Sequence, residues 1–354
     1  MPDHNHPHDA PAPPVSLSGA SSNWHSLAER VLRGHLLSRV EGLHILQSSD
    51  DELLDLLAAA YRIRRHWFGR RVDLNFLISA KSGDCSEDCS YCSQSRVSSA
   101  AIPQHKMLPG QEILAGAKAA FTRGARTYCI ATSGRTLAKG ELDVIRCVVP
   151  EIKRRYPLAI CTSPGLLNAE TAMQLKACGV DRVNHNLNTS ERFYPMICST
   201  HSYDDRLATL RAAREAGLSL CSGGIVGMGE EAGDVVDLAL RLRDVRVEAI
   251  PVNFLQPIPG TPLEGTWRLT PQYCLKVLAM FRFANPQCEL RIAAGREMHL
   301  RSLQPLGLYM ANSIFVGDYL TTKGQPCEDD HRMIDDLGFD SGVHVTAAGE
   351  DANA

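Results

Sequence analysis

Three cysteines stand close together just after the first predicted strand, at Cys85, Cys89 and Cys92. Their Cys-x3-Cys-x2-Cys spacing places three thiols in one short glycine- and serine-rich loop, where they can bind a single inorganic core. A structural zinc site normally takes four protein ligands in paired Cys-x2-Cys units, and no fourth ligand lies nearby in the sequence. The loop therefore predicts a site in which three thiolates hold one inorganic core.

This spacing, with the aromatic Tyr91 just before the last cysteine, resembles that of the radical S-adenosylmethionine enzymes. The resemblance implies a [4Fe–4S] cluster with three thiolate ligands and one iron open to a substrate. In that superfamily the open iron binds the amino and carboxylate groups of S-adenosylmethionine. One electron from the cluster then splits the sulfonium into methionine and a 5′-deoxyadenosyl radical. The resemblance implies S-adenosylmethionine as a cofactor. A loop that follows a barrel strand opens on the C-terminal face, where barrel active sites lie.

Four further residues lie inside predicted strands, at positions where a structural core would hold valine or isoleucine. They are Cys129, Cys161, Cys221 and Arg291, on the second, third, fifth and seventh predicted strands. Buried cysteine by itself is common and unreactive. A buried guanidinium, however, needs an anionic partner, which thiolates and bridging sulfides would supply. If the four side chains point inward, they converge on the barrel axis.

Sequence motifs over roughly residues 70 to 325 resemble the biotin synthase family. They are the cysteine loop at 85–94, the Asn-His-Asn stretch at 184–186, and the segments 221–230, 260–263, 294–297 and 311–315. Related barrel enzymes, such as those of hydrogenase maturation, share the first loop but are not expected to share the whole series. The resemblance implies a sulfurtransferase that converts dethiobiotin to biotin.

In that family a [2Fe–2S] cluster is the proposed sulfur donor. The radical removes hydrogen from two unactivated carbons, sulfur bridges them, and two S-adenosylmethionine molecules are consumed. The resemblance implies that Cys129, Cys161, Cys221 and Arg291 hold this cluster. Arginine is normally protonated and has no free lone pair. Arg291 is therefore either a direct ligand, at a cost that the cluster must offset, or a charged hydrogen-bond donor to the sulfides.

The resemblance also implies contacts to small molecules, and no catalytic residue beyond the two clusters. Asn186 is expected to contact both S-adenosylmethionine and dethiobiotin, and Asn253 to pair with the ureido ring. Tyr91 and Arg206 are expected to bind S-adenosylmethionine, Arg206 near the methionine carboxylate, although a solvated helix arginine is an equal reading of Arg206 by itself. Asn188 stands where well-known members carry an aspartate that accepts bonds from the ribose hydroxyls. Its amide oxygen can still accept, without the charge.

Eight short apolar runs alternate with amphipathic helical segments. The runs lie at 72–79, 126–132, 158–162, 182–187, 219–226, 249–255, 289–294 and 313–316. This alternation predicts an α/β fold, a (β/α)8 TIM-type barrel with an N-terminal helical extension. A doubly wound open sheet is the competing architecture. The order of helices and strands is supported by three glycines, Gly124, Gly179 and Gly217. Each follows a helical segment just before a strand, where a glycine that ends a helix is expected.

The chain divides into four predicted parts. Residues 1–22 are a disordered tail, rich in His, Pro, Ala and Ser and without the apolar core of a secretory signal. Residues 23–70 form N-terminal helices, predicted at 26–36 and 50–67. Residues 71–325 form the barrel, and residues 326–354 a C-terminal extension that is partly disordered.

Composition limits the partners and the compartment. The 354 residues are 44% apolar and 22% charged with a net charge of −3, which gives no sign of a nucleic-acid partner. No apolar run is long enough for a membrane span. Twelve cysteines in a chain with no export signal predict free thiols in the reducing cytoplasm. Outside the two groups, six are expected to be packing residues or incidental surface thiols: Cys147, Cys178, Cys198, Cys274, Cys288 and Cys327.

Partners and alternatives follow from the resemblance. It implies an electron-donor protein of the flavodoxin or ferredoxin type, and a homodimer. A second enzymatic interpretation is another radical S-adenosylmethionine barrel enzyme with a different substrate. A non-catalytic iron–sulfur scaffold is a third, and it leaves Asn186 and Asn253 without a role.

Overall fold

The structure, a computed structural model, describes residues 23–342 of the 354-residue chain. The predicted disordered tail at 1–22 lies outside the described residues, as do residues 343–354 of the predicted C-terminal extension.

Nine parallel strands within the described residues close into one barrel. They are β1 (Asp73–Lys81), β2 (Thr127–Thr132), β3 (Ala159–Ser163), β4 (Arg182–Asn184), β5 (Ser219–Cys221), β6 (Gly224–Val226), β7 (Ala249–Phe254), β8 (Glu289–Ile292) and β9 (Ser313–Phe315). Their order is β5-β4-β3-β2-β1-β9-β8-β7-β6, and β5 also pairs with β7. Only Ser222 and Gly223 separate β5 from β6, and both strands pair with β7. They therefore act as one interrupted strand, and the barrel has eight.

The interruption coincides with a close approach of backbones. A Cβ atom at Gly223 would lie 1.9 Å from the carbonyl oxygen of Pro251, and one at Gly224 would lie 2.6 Å from that of Asn188. Only glycine fits at such a contact. The run predicted at 219–226 as one strand therefore folds as two. The predicted (β/α)8 barrel is confirmed, and the doubly wound sheet is wrong, because an open sheet would leave two edges unpaired.

Helices connect the successive barrel strands. They are α4 (Gly110–Thr122), α5 (Lys139–Arg155), α6 (Ala169–Ala177), α7 (Tyr203–Glu215), α8 (Ala232–Val245), α9 (Pro271–Ala284) and the short α10 (Arg296–Leu300). All but α10 were expected from the spacing of apolar residues. These crossovers keep the strands parallel, so that all loops after strands open on one face.

Three helices precede the barrel: α1 (Trp24–Leu32), α2 (Arg39–Gln47) and α3 (Leu53–Phe68). Helix α3 packs against α9, and α2 packs against α8 and α9. The sequence predicted α1 and α3 but not α2. A capping box begins α2, in which Ser38 and Glu41 satisfy each other's backbone N–H groups.

The chain continues past the barrel into α11 (Cys327–Asp336), within the predicted C-terminal extension. Arg296 and Asp330 are both fully buried and form an ion pair at 2.7 Å, which ties α11 to α10. Among residues 23–342, no helix combines the length and the apolar character that crossing a bilayer requires.

Inside the barrel, a small group of buried residues is separate from the main apolar core. It comprises Cys129, Cys161, Ala293, Phe315 and Tyr319. The main core fills the space between the strands and the surrounding helices. The barrel interior therefore contains thiols and aromatic rings as well as aliphatic side chains.

Candidate active site

The predicted cysteine loop follows β1 and borders a cavity of about 390 Å³ at the C-terminal ends of the strands. The thiols of Cys85, Cys89 and Cys92 all line this cavity. Cys89 is buried, and the other two are half-buried. The structure therefore brings the three predicted ligands together on the C-terminal face of the barrel.

Two polar side chains hold the loop in place. The carboxylate of Asp88 accepts hydrogen bonds from the backbone N–H groups of Ser199, at 2.9 Å, and Thr200, at 3.2 Å. Burial raises the pKa of Asp88, but hydrogen bonds from the Ser199 hydroxyl and from these backbone groups outweigh burial and lower the pKa well below its usual range. The amide oxygen of Gln94 accepts from the backbone N–H of Gly83 at 3.0 Å. The loop is thus anchored to itself and to the segment before α7.

A buried network fixes the guanidinium of Arg206 at the cavity wall. Arg206 donates to the backbone carbonyl of Asn186 at 2.7 Å, to the hydroxyl of Tyr194 at 2.5 Å, and to Nε2 of His201 at 2.8 Å. Because Nε2 accepts this bond, Nδ1 of His201 is the protonated nitrogen. Its N–H donates a hydrogen bond to the carboxylate of Glu87, with 2.5 Å between the two atoms. Arg206 is 7% exposed, so the reading as a solvated helix arginine is wrong.

The amides of two predicted ligand-binding residues line the same cavity. The side-chain oxygen of Asn186 accepts from the backbone N–H of Gly223 at 3.0 Å. The amide of Asn253 donates to the carbonyl of Gly224 at 3.0 Å and accepts from the N–H of Ala294 at 3.2 Å. These bonds use one donor and one acceptor of Asn253, and each amide has capacity beyond them.

Asn188 lies beside the cysteine loop. Its backbone has φ 71°, in the left-handed region that asparagine tolerates better than most residues. Its side chain is nearly fully buried, and Nδ2 donates to the hydroxyl of Tyr91 at 2.5 Å. Both residues line the cavity. Since this bond uses the nitrogen, the amide oxygen of Asn188 is the atom available to accept from a ligand hydroxyl.

The second predicted group also meets inside the barrel. Cys129 and Cys161 are register partners on β2 and β3. Nη1 of Arg291 lies 3.8 Å from Sγ of Cys221. Arg291 is on β8, which is the seventh barrel strand once β5 and β6 count as one. All four residues are buried, and Cys129 also lines the cavity. The cavity is therefore bordered by all three thiols of the first group and by Cys129 of the second.

Two charged residues of the barrel interior were not predicted. Arg182 is the register partner of Cys161 and donates to the carboxylate of Glu289 at 2.7 Å. Glu289 also binds the guanidinium of Arg291. Although burial opposes it, Arg291 and Arg182 lower the pKa of Glu289 to about 2, so the carboxylate is charged at neutral pH. Both residues lie at the starts of strands, where charged residues are common, so the sequence did not indicate that they would pair inside the barrel.

A fourth thiol near the first group was also missed. Sγ of Cys198 lies 3.8 Å from Sγ of Cys89 and 3.3 Å from Nδ1 of His201. Ligand atoms of these three residues lie within 4.8 Å of one another. Cys198 was expected to be a packing or surface thiol. It is buried, as expected of a packing residue. The Cys-x2-His spacing of Cys198 and His201 is the sequence pattern that could have indicated a metal-binding site.

Both groups of thiols fit iron–sulfur clusters chemically. All twelve cysteines are free thiols. A hydrogen bond from Cys161 lowers the pKa of Cys129, and the charges of Arg291 and Arg182 act in the same direction against the effect of burial. At Cys129 this favours the thiolate form, which is the form that binds iron. The hydrogen bond to Cys129 raises the pKa of Cys161, and burial raises the pKa of Cys221. A purely structural barrel interior would gain nothing from placing three thiols beside two guanidinium groups.

Curated relatives show the family. The chain is 55% identical to the biotin synthase of Rhodopirellula baltica over 326 residues, which cover 92% of this chain and 91% of the relative. The chain belongs to the biotin synthase family. It is also 52% identical to the biotin synthase of Bacillus subtilis over 319 residues, which cover 90% of this chain and 95% of that relative.

Two family models match consecutive parts of the chain. The Radical SAM superfamily model matches residues 81–242, which include the cysteine loop, and the Biotin and Thiamin Synthesis associated domain matches residues 251–340. Biotin synthesis by radical S-adenosylmethionine chemistry, expected from the sequence, is thereby confirmed for the family of this chain. Membership of the superfamily implies a [4Fe–4S] cluster and S-adenosylmethionine as cofactors.

Solved structures share the fold. Methylornithine synthase superposes with a TM-score of 0.77 at 21% identity, over 88% of this chain and 96% of that one. The FeFe-hydrogenase maturase HydG from Carboxydothermus hydrogenoformans superposes with a TM-score of 0.75 at 16% identity, over 89% and 78% of the two chains. At these identities the likeness supports the barrel alone.

Proposed function

We propose that this chain is a sulfurtransferase that inserts sulfur into dethiobiotin to form biotin. The observation that carries the proposal is the meeting of two groups of free thiols at one cavity, three on the loop after β1 and Cys129 on the barrel wall. A radical source and a sulfur source must both reach one substrate. The 55% identity to a biotin synthase supports the same conclusion.

The loop cysteines Cys85, Cys89 and Cys92 hold the [4Fe–4S] cluster in this proposal. When bound, that cluster and S-adenosylmethionine supply a 5′-deoxyadenosyl radical. Arg206 provides a fixed positive charge for the methionine carboxylate, because its network removes most of its rotational freedom. Asn188 accepts from the ribose while Tyr91 holds its nitrogen.

The second group, Cys129, Cys161, Cys221 and Arg291, holds a [2Fe–2S] cluster, which supplies the sulfur when bound. Full burial of Cys161, Cys221 and Arg291 excludes water from this group. Arg291 presents Nη1 on the side of Cys221, either as an iron ligand or as a charged hydrogen-bond donor to the sulfides.

Asn253 and Asn186 bind the substrate. The backbone bonds from Ala294 and to Gly224 hold the Asn253 amide in one orientation, with one further donor and one further acceptor. The ureido ring of dethiobiotin offers the complementary acceptor and donor. Asn186 lines the same cavity, and its own backbone carbonyl accepts a hydrogen bond from Arg206.

Residues 71–325 form the catalytic unit of the proposed enzyme, with residues 23–70 and the segment after 325 as extensions. We propose a flavodoxin- or ferredoxin-type electron donor and a homodimeric state. A cytoplasmic location agrees with twelve free thiols, which persist in a reducing compartment.

Growth tests this function. A biotin auxotroph that lacks biotin synthase and is supplied with dethiobiotin should grow when it expresses this chain. The Cys161→Ser variant should fail, because it loses a ligand of the second group. The Cys147→Ser variant changes an exposed thiol outside both groups and should still support growth. Absence of growth with parent protein that still cleaves S-adenosylmethionine would favour a radical enzyme with a different substrate.

A further inference from the structure

Glu289 and Arg182 occupy the barrel interior beside the second group of thiols, and no role in the family resemblance covers them. Arg182 is the register neighbour of Cys161, and Glu289 lies on β8 two residues before Arg291. The Arg182–Glu289 ion pair measures 2.7 Å, and its side chains are 20% and 14% exposed. Buried ion pairs cost desolvation free energy, so a neutral apolar pair would be the simpler solution for stability alone.

The contacts of Arg291 leave one nitrogen for a cluster. Its Nε donates to the hydroxyl of Ser313 at 3.1 Å, and its Nη2 binds the carboxylate of Glu289. The ring of Phe315 lies 4.8 Å from the guanidinium carbon. Nη1 remains, and it lies 3.8 Å from Sγ of Cys221. Glu289 and Ser313 therefore set which edge of the guanidinium is presented to the thiols.

A hydroxyl connects these groups. The Ser313 oxygen accepts from Asn75 at 2.7 Å and from Arg291, and it donates to Glu289 at 2.9 Å. These three bonds use the full capacity of a hydroxyl. The carboxylate of Glu289 is therefore held by Arg182, Arg291 and Ser313 together, and it has little freedom to turn.

The charges also balance. An oxidised two-iron, two-sulfide core with three thiolates carries one excess negative charge. Two guanidinium groups and one carboxylate carry one excess positive charge. The group as a whole is then neutral, which is the arrangement that costs least in a buried site. Without Arg182, Glu289 would cancel the charge of Arg291 and leave the cluster uncompensated.

We propose that Arg182 and Glu289 are positioning residues for the second cluster, which together aim Nη1 of Arg291 at it and set its reduction potential. This inference rests on the proposed function, because it requires a [2Fe–2S] cluster at Cys129, Cys161, Cys221 and Arg291. It adds an electrostatic role for two residues that do not touch iron themselves.

The test is the midpoint potential of the two-iron cluster in anaerobically reconstituted protein. A redox titration monitored through the visible absorption of the cluster measures this potential. Glu289→Gln removes a negative charge and should raise the potential, because the reduced cluster gains a stronger positive field. Arg182→Gln removes a positive charge and should lower it. The double variant restores the balance and should lie near the parent, as should Glu289→Asp, which keeps the charge. Arg214→Met breaks the half-exposed pair with Glu248 and serves as the control with no shift.

Shifts of opposite sign in the single variants, cancelled in the double variant, support the proposal. Loss of the two-iron cluster in Glu289→Gln with recovery in the double variant also supports it. Unchanged potentials, shifts of the same sign, or a cluster lost in both the single and the double variant would overturn it. A parent protein that holds no two-iron cluster would overturn the proposed function itself, and this inference with it.

Discussion

The side-chain nitrogen of Asn188 lies 2.5 Å from the hydroxyl oxygen of Tyr91, so the loop after β4 is bonded to the cysteine loop after β1. The bond joins Asn188, where well-known family members are expected to carry an aspartate, to Tyr91, which lies between the predicted ligands Cys89 and Cys92 in the sequence. In the proposed function Asn188 has two roles, as a support for Tyr91 and as an acceptor for the ribose of S-adenosylmethionine.

Replacement of Asn188 should separate those roles. Asn188→Asp should keep the contact, because the Tyr91 hydroxyl can turn and donate to the carboxylate. It should change the affinity for S-adenosylmethionine without altering either cluster. Asn188→Ala should weaken binding by about fivefold to tenfold, the equivalent of about 1 to 1.4 kcal/mol for a lost hydrogen bond.

Equilibrium binding of S-adenosylmethionine to reconstituted protein measures the effect. Alanine at φ 71° adds backbone strain, so Asn188→Gly serves as the control that removes the side chain without that strain. If the aspartate, alanine and glycine variants all bind like the parent, Asn188 is not in the site.

Arg206 should be sensitive even to lysine. Its guanidinium donates to three fixed partners at once, and a single ammonium cannot reproduce that fork. Arg206→Lys should weaken S-adenosylmethionine binding about tenfold or more, as expected for a hydrogen bond to a charged group. Arg211, exposed on the same helix, provides the matched control, and Arg211→Lys should bind like the parent. If Arg206→Lys binds S-adenosylmethionine as tightly as Arg211→Lys does, Arg206 is not part of the binding site.

The iron content should distinguish Cys198 from the loop cysteines. Reconstituted parent protein should approach about six irons per chain, the sum of a four-iron and a two-iron cluster. Cys89→Ser should lose the four-iron signal, because a thiolate ligand is gone. Cys198→Ala should keep it, although the two sulfur atoms lie only 3.8 Å apart. Loss of the four-iron cluster in Cys198→Ala would mean that Cys198 is a fourth ligand and that no iron is open to S-adenosylmethionine.

Local sequence patterns predicted the barrel because strand and helix periodicities are local properties. The interruption at Gly223 escaped this reasoning, since it depends on Pro251 of a neighbouring strand. Helix α2 was missed because few of its residues are buried and its apolar pattern is weak. Arg182 was placed inside the fourth predicted strand, yet its partner Glu289 lies 107 positions away. Only the closed barrel brings the two together.

Residue type and spacing led to site predictions only where they carry the chemistry. The prediction of a cluster at Cys85, Cys89 and Cys92 rested on their spacing. The prediction of a second cluster at Cys129 and Arg291 depended on the resemblance to a family. Cys198 was taken for an ordinary thiol, because nothing in the sequence indicates that its segment folds against Cys89. Contacts between loops on different strands depend on the register of the whole barrel, which no local pattern encodes.

The most direct test of the account measures 5′-deoxyadenosine and biotin in one anaerobic reaction with dethiobiotin. The parent should form both, and Cys89→Ser should form neither, because radical formation needs the first cluster. Cys161→Ser should still form 5′-deoxyadenosine but no biotin, because only the sulfur source is lost. Biotin formed at the parent rate by Cys161→Ser, or 5′-deoxyadenosine formed by Cys89→Ser, would contradict the assignment of separate tasks to the two groups of thiols.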